Sequence, residues 1–276
     1  MNSPRAKKSF GQNFLIDERV IDRIIAAVDV REGETIVEIG AGRGALTNHL
    51  VERNCRLIAI EFDRELVSWL REEFGAQTNF TLIEADALVM DFCTAIQPAN
   101  KARVVANLPY NISTAILQRL IEHRKCITEM ILMLQREVVE RIMAPPCSSA
   151  RGYLSVLVEA YCEVEKLFDV APTAFRPVPK VWSTVARLCV RPAVSFELKD
   201  ETLLWRTVSA GFAQRRKTIF NNLRSAPPEM ALRIEAKGGS SRVLEAARID
   251  AQRRAETLSL DEWKRLARAI ESAPIP

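Results

Sequence analysis

Apolar positions along the first two-thirds of the chain switch between two spacings. Positions 16, 20, 21, 24, 25 and 28 are apolar at helical intervals, and Asp17 is placed to cap that stripe. From residue 35, short β-branched runs take over: TIVEIG (35–40), RLIAIE (56–61), FTLIEA (80–85), RVVANL (103–108) and EMILMLQ (129–135) read as buried strands. Helical spacing returns between and after them, at 44–53, 63–74, 113–123 and 136–144. Near-continuous apolar strands that alternate with amphipathic helices predict an α/β domain, with a mainly parallel sheet covered on both faces.

After Pro145-Pro146 the pattern changes. Residues 153–161 read as a helix, and 164–170 and 183–190 as a closing pair of strands around the proline-rich APTAFRPVPKVW. Beyond about residue 192 the strand signal ends. Residues 200–223, 241–249 and 259–273 have helical spacing, the last opening with Ser259 and Glu262 as a capping box. The expected organisation is an α/β domain over 1–192 followed by a small all-α domain over 193–276.

Composition narrows the class. The 276 residues are 48% hydrophobic and 27% charged, an ordinary globular balance. No apolar run approaches the roughly 20 residues needed to span a bilayer, and the basic N-terminus lacks the apolar segment of a secretory signal, so a cytoplasmic protein without membrane contact is expected. The six cysteines are dispersed without a C-x-x-C pair, which predicts reduced, mostly packed thiols. The two histidines, His49 and His123, fall on helices; neither a metal site nor a histidine-based triad is expected. The net charge of +4 is unevenly placed: residues 194–276 hold 15 Lys/Arg against 11 Asp/Glu, and the rest of the chain balances. No acid lies between Glu201 and Glu229, where Arg206, Arg215, Arg216, Lys217 and Arg224 cluster, a pattern that suits a polyanionic partner or a solvated helix face.

Three strand ends carry candidate chemistry. The first leads into EIGAGRGA, whose Gly40, Gly42 and Gly44 allow a tight turn and close approach of a ligand to a helix N-terminus. The second ends in Glu61, 21 residues beyond Gly40, where a carboxylate can grip ribose hydroxyls. The third ends at Asp86, able to accept from an exocyclic amine or to cap a turn. The first two features also fit a dinucleotide site. The fourth strand runs into Asn107-Leu108-Pro109-Tyr110. Proline must stop the strand there, at the crevice where ligands of such sheets bind. Asn107 Oδ1 and the Leu108 carbonyl can accept the two N–H bonds of a nucleobase amine, and Tyr110 offers a flat face for an extruded base.

With these residues the chain resembles the S-adenosylmethionine-dependent ribosomal RNA adenine N6-dimethyltransferases along nearly its whole length. FGQNFLID (10–17), EIGAGRGALT (38–47), NLPYNIS (107–113), LQREVVERI (134–142), FRPVPKV (175–181) and FAQRRKTIFNNL (212–223) carry the resemblance. It implies a Rossmann-like class I methyltransferase sheet, S-adenosyl-L-methionine as cofactor, and action in ribosome biogenesis. The implied substrate is small-subunit ribosomal RNA near its 3′ end, within an assembling small subunit, with the enzyme a monomer. It further implies that Asn13, Leu15 and Gly40 meet the methionine end of the cofactor, Glu61 the ribose and Asp86 the adenine. Asn107 would lie between cofactor and target amine, Phe175 opposite Tyr110, and Arg215, Arg216 and Lys217 on RNA phosphates. Tyr153 and Trp182 depart from the family's pattern, which commonly has an arginine and an acid there.

Overall fold

The computed structural model describes residues 4–7, 10–192 and 201–271. Helix α1 (Glu18–Val28) starts where Asp17 accepts hydrogen bonds from the Arg19 and Val20 amides, and it ends at Asp29 in the left-handed region. Strands β2 (Thr35–Ile39), β3 (Arg56–Glu61), β4 (Phe80–Glu84), β5 (Ala102–Asn107) and β6 (Ile127–Gln135) follow a short β1 (Phe14–Leu15), and all five pair in parallel. Between them run α2 (Thr47–Leu50), α3 (Arg64–Phe74), α4 (Phe92–Ala95) and α5 (Ser113–Glu122). Helices α6 (Arg136–Ile142) and α7 (Tyr153–Tyr161) precede β7 (Cys162–Val170), β8 (Phe175–Arg176) and β9 (Ser183–Val190).

The seven-stranded sheet has the order β4-β3-β2-β5-β6-β9-β7, in which β9 inserts antiparallel between β6 and β7. Ile36, Val105, Ile131 and Met133 meet Ile21, Ile24, Ile25 and Val28 of α1 in one core. The alternate residues Val104, Met130 and Leu132 are equally buried, so both faces are covered, and α5 packs on β6. The helix read at 44–53 is regular only over α2, because Gly40, Gly42 and Gly44 all take positive φ and hold the preceding segment in turns. Strands β1 and β8, absent from the strand reading, form a separate two-stranded ladder, Phe14 opposite Arg176 and Leu15 opposite Phe175.

The chain divides into two compact units: residues up to Val139 with Cys162–Pro192, and Glu140–Tyr161 with the C-terminal segment. In the second, α8 (Glu201–Gly211), α9 (Ile219–Arg224), α10 (Pro228–Glu235), α11 (Gly239–Ala246) and α12 (Leu260–Glu271) surround a core that includes Trp263 and Leu266, both 0% exposed. The capping box on α12 is reciprocal: Ser259 N donates to Glu262 Oε2 at 2.8 Å, and Glu262 N to Ser259 Oγ at 3.2 Å. Asp200 and Ser272-Ala273, the ends of two predicted helices, lie outside the described residues. The continuous helix read across 200–223 is corrected: it breaks between Gly211 and Ile219. Thr218 caps α9 with its hydroxyl, and the buried Asn222 amide donates to Gly211 O and Gln214 O, which satisfies the turn from inside. Arg215, Arg216 and Lys217 therefore lie on an exposed turn.

The cysteine expectation is corrected at one pair. Cys93 and Cys126 form a disulfide, because α4 and the turn after α5 meet at the edge contact of Phe92 with His123. Cys55 and Cys162 are buried free thiols, pushed up to about 11 and about 12 by burial.

Candidate active site

A cavity of about 250 Å³ opens at the carboxyl ends of the parallel strands. Its wall collects Asn13, Gly40, Glu61, Asp86, Asn107, Leu108, Pro109 and Tyr110, eight of the residues singled out in the sequence. Leu15 and Phe175 do not line it. They face each other in the β1–β8 ladder and are sealed in the core at 5% and 0% exposure, so the Phe175 ring presents no open face here. Tyr153 packs against Trp205 in the second unit, which also holds Arg215, Arg216 and Lys217.

The glycine turn is built around Glu61. Gly40 N donates to Ile60 O at 2.8 Å, and Gly42 N donates to Glu61 Oε2 at 2.9 Å. The other carboxylate oxygen accepts from Phe62 N and Asp63 N. Burial pushes the Glu61 carboxyl up, against these three N–H donors, which pull it down. At Gly42, φ is +60° and a Cβ would lie 3.3 Å from the Phe14 ring, so only glycine keeps the turn unstrained. Beneath the turn, Thr47 Oγ1 donates to Glu38 Oε2 at 2.7 Å. Glu38 is fully enclosed, and burial lifts its carboxyl to about 7.

Asp86 does two things. Its Oδ1 accepts from Leu88 N at 2.9 Å, the turn cap that the sequence allows, while the residue also lines the cavity. Across the cavity, Asn107 Nδ2 donates to Asn13 O at 3.2 Å, which orients the amide and leaves Oδ1 as its other polar end. Tyr110 Oη is 2.6 Å from Ser183 Oγ. Burial raises the Tyr110 phenol, opposed by the Ser183 hydrogen bond, so the ring stays neutral. Ile112 N closes a turn on Pro109 O at 3.2 Å, and Ser113 Oγ donates to Tyr110 O.

Sequence reasoning missed a second tier of wall residues. Asp63 accepts from Lys7 Nζ at 2.6 Å and from Gln12 Nε2 at 3.0 Å, so it ties the N-terminal segment to the start of α3. Burial pushes Asp63 up, but the Lys7 and Gln12 bonds outweigh it and hold the carboxyl below its usual range. Phe10 meets Phe62 edge-on at 5.8 Å. The signal available was the place of Phe62, a large aromatic directly after a strand run; the structure leaves it 57% exposed. Ser183 carried no local signal. His49 and His123 sit away from the wall, beside Glu18 and Asp91.

A parallel sheet with an inserted antiparallel strand, a glycine turn after its first parallel strand and a carboxylate at the end of the next defines a class I methyltransferase. The enclosed turn, Glu61 and Asp86 fit the donor such enzymes share, S-adenosylmethionine. The model of the family "Ribosomal RNA adenine dimethylase" matches residues 3–266. A Pseudomonas aeruginosa protein called ribosomal RNA small subunit methyltransferase A is 43% identical over 98% of this chain and 96% of its own length. One of the same name from Xanthomonas campestris is 45% identical over 96% of each. Among solved structures, a dimethyladenosine transferase from Plasmodium falciparum superposes with a TM-score of 0.76 at 25% identity, covering 92% of this chain and 95% of that one. The 23S rRNA methyltransferase ErmE gives 0.64 at 25% identity, covering 94% and 100%.

The chain belongs to the ribosomal RNA adenine dimethylase family. It is thus a methyltransferase that dimethylates adenine in ribosomal RNA with S-adenosylmethionine as methyl donor. Among the described residues no helix is long and apolar enough to cross a membrane.

Proposed function

We propose that the protein dimethylates N6 of two adjacent adenosines in a loop near the 3′ end of small-subunit ribosomal RNA, acting as a cytoplasmic monomer on the assembling small subunit. The observation that carries the chemistry is the Asn107 amide, held by the Asn13 carbonyl on the wall that Glu61, Asp86 and Tyr110 share. The choice of small-subunit RNA is supported by relatives of that name at 43–45% identity, against 25% for ErmE.

S-adenosylmethionine, when bound, supplies an electrophilic methyl group on a sulfonium. In this reading Gly40 and Asn13 face its methionine portion, Leu15 backs that wall from the β1 ladder, Glu61 takes the ribose hydroxyls and Asp86 the adenine amine. Asn107 Oδ1 and the Leu108 carbonyl accept the two N–H bonds of the target amine. That localises the nitrogen lone pair, which is otherwise delocalised into the purine ring. Pro109 fixes the turn that presents both acceptors, and Tyr110 stacks on the extruded base. Positioning supplies most of the acceleration, and the spare proton leaves to water. Arg215, Arg216 and Lys217 hold phosphates, which orients the RNA without reading its sequence.

The test gives the purified protein labelled S-adenosylmethionine with unmethylated small subunits, naked small-subunit RNA or large-subunit RNA, followed by nucleoside mass spectrometry. N6,N6-dimethyladenosine near the 3′ end of small-subunit RNA is expected. Label confined to large-subunit RNA, or no label at all, would overturn the proposal.

A further inference from the structure

Strand β9 opens at Ser183, and the residue before it, Trp182, is 44% exposed. Register puts both at the sheet edge that carries the active site: Asn107 pairs with Met133 on β6, and Gln135, two residues on, pairs with Ser183. Ser183 is also the hydroxyl that holds Tyr110 at 2.6 Å, so the Trp182 Cα lies one backbone step, about 3.8 Å, from the Cα of that anchor residue. The backbone there is pinned, since Arg136 N donates to Trp182 O at 3.0 Å.

The surroundings are cationic. The Arg136 guanidinium lies over the indole at 5.8 Å from its centroid, and Arg176, at the end of β8, and Lys180, in the loop that follows, are exposed. Exposed Val178 and Val181 extend the apolar surface. Of the nearby acids, Asp169 is engaged by Lys166 at 2.8 Å and Thr184 at 2.6 Å, and Glu137 is exposed beside Arg136. A solvent-facing indole under a guanidinium, with exposed Lys180 two residues before it, is the composition of a platform for single-stranded nucleic acid.

We propose that Trp182 and Arg136 form a stacking subsite for the nucleotide that flanks the target adenosine. This rests on the function proposed above. A base that leaves its stack to enter the cavity strips its neighbour of a stacking partner, and an aromatic platform beside the entrance replaces that partner. Trp182 therefore acts on the RNA, not on the cofactor.

The test compares the full-length protein with Trp182→Ala and Trp182→Phe on naked RNA carrying the target adenosines, and on the same RNA with the flanking base removed to leave an abasic site. Trp182→Ala should raise the KM for intact RNA about tenfold, with a much smaller change in kcat and unaltered S-adenosylmethionine affinity. Trp182→Phe should recover most of the loss. On the abasic RNA, wild type and Trp182→Ala should converge. Transfer by wild type with the KM of Trp182→Ala unchanged, or an equal Ala effect on intact and abasic RNA, would overturn the subsite alone. A loss seen only with intact subunits would place a protein on the indole and also overturn it. Failure of wild type to methylate any RNA would overturn the proposed function, and the subsite with it.

Discussion

Replacing Glu38 by glutamine removes a titrating group from beneath the glycine turn, and its consequence can be worked from the structure. Glu38 is 2% exposed on β2, and burial, aided by the nearby charge of Glu61 and opposed by the Thr47 hydroxyl, lifts its carboxyl from 4.5 to about 7. The folded chain therefore binds this proton more tightly than the unfolded chain. Its contribution to stability is complete below pH 4.5 and is withdrawn as the pH rises through 7. At about 1.4 kcal/mol per pH unit, that gap amounts to about 3 kcal/mol. The Glu38→Gln variant would keep an acceptor for Thr47 but carry no charge there at any pH, so it should lack this loss. Urea titrations between pH 4 and 9, read through amide exchange of residues 35–39, sample the strand itself. Wild type should lose about 3 kcal/mol more than Glu38→Gln across that range. Parallel curves would show that the Glu38 carboxyl titrates alike in the folded and unfolded chains, and would refute the reasoning.

Three further perturbations address the site and the basic turn. Asn107→Ala should lower methyl transfer by about 10²-fold or more while RNA affinity is retained, as single-turnover assays beside binding titrations would show. Gly42→Ala should cost about 1–2 kcal/mol, because φ is +60° and the new Cβ would press on the Phe14 ring; cofactor affinity should fall with thermal stability. Charge reversal at Arg215, Arg216 and Lys217 should weaken subunit binding and flatten its salt dependence by about 2–3 in the slope of log K against log salt, and an unchanged slope would make the turn a solvated surface.

Much of this protein was legible in its sequence because the deciding patterns are local. Short apolar runs and period-3.6 stripes mark elements over five to fifteen residues, and parallel strands joined by helices allow few arrangements, so the strand ends of β2, β3, β4 and β5 had to converge. That alone placed Gly40, Glu61, Asp86 and Asn107 on one wall. Capping chemistry was equally readable, at Asp17 and in the Ser259–Glu262 box, since it depends on residues two to three positions apart.

Tertiary structure decided whatever depends on distant partners. The β1–β8 ladder joins Leu15 to Phe175 and buries both, and two strands of two residues leave no periodic trace. The break at 212–218 is invisible to helical spacing, because it is stabilised by Asn222 reaching back to Gly211 and Gln214. The Cys93–Cys126 pair needs α4 and the end of α5 to meet. Glu38 reads as one more strand residue until burial raises its carboxyl to about 7, and Trp182 as a departure from the family's pattern until register sets its backbone next to the Tyr110 anchor. Local sequence specifies what each segment can form; only packing determines which groups lose their water, and that loss sets their chemistry.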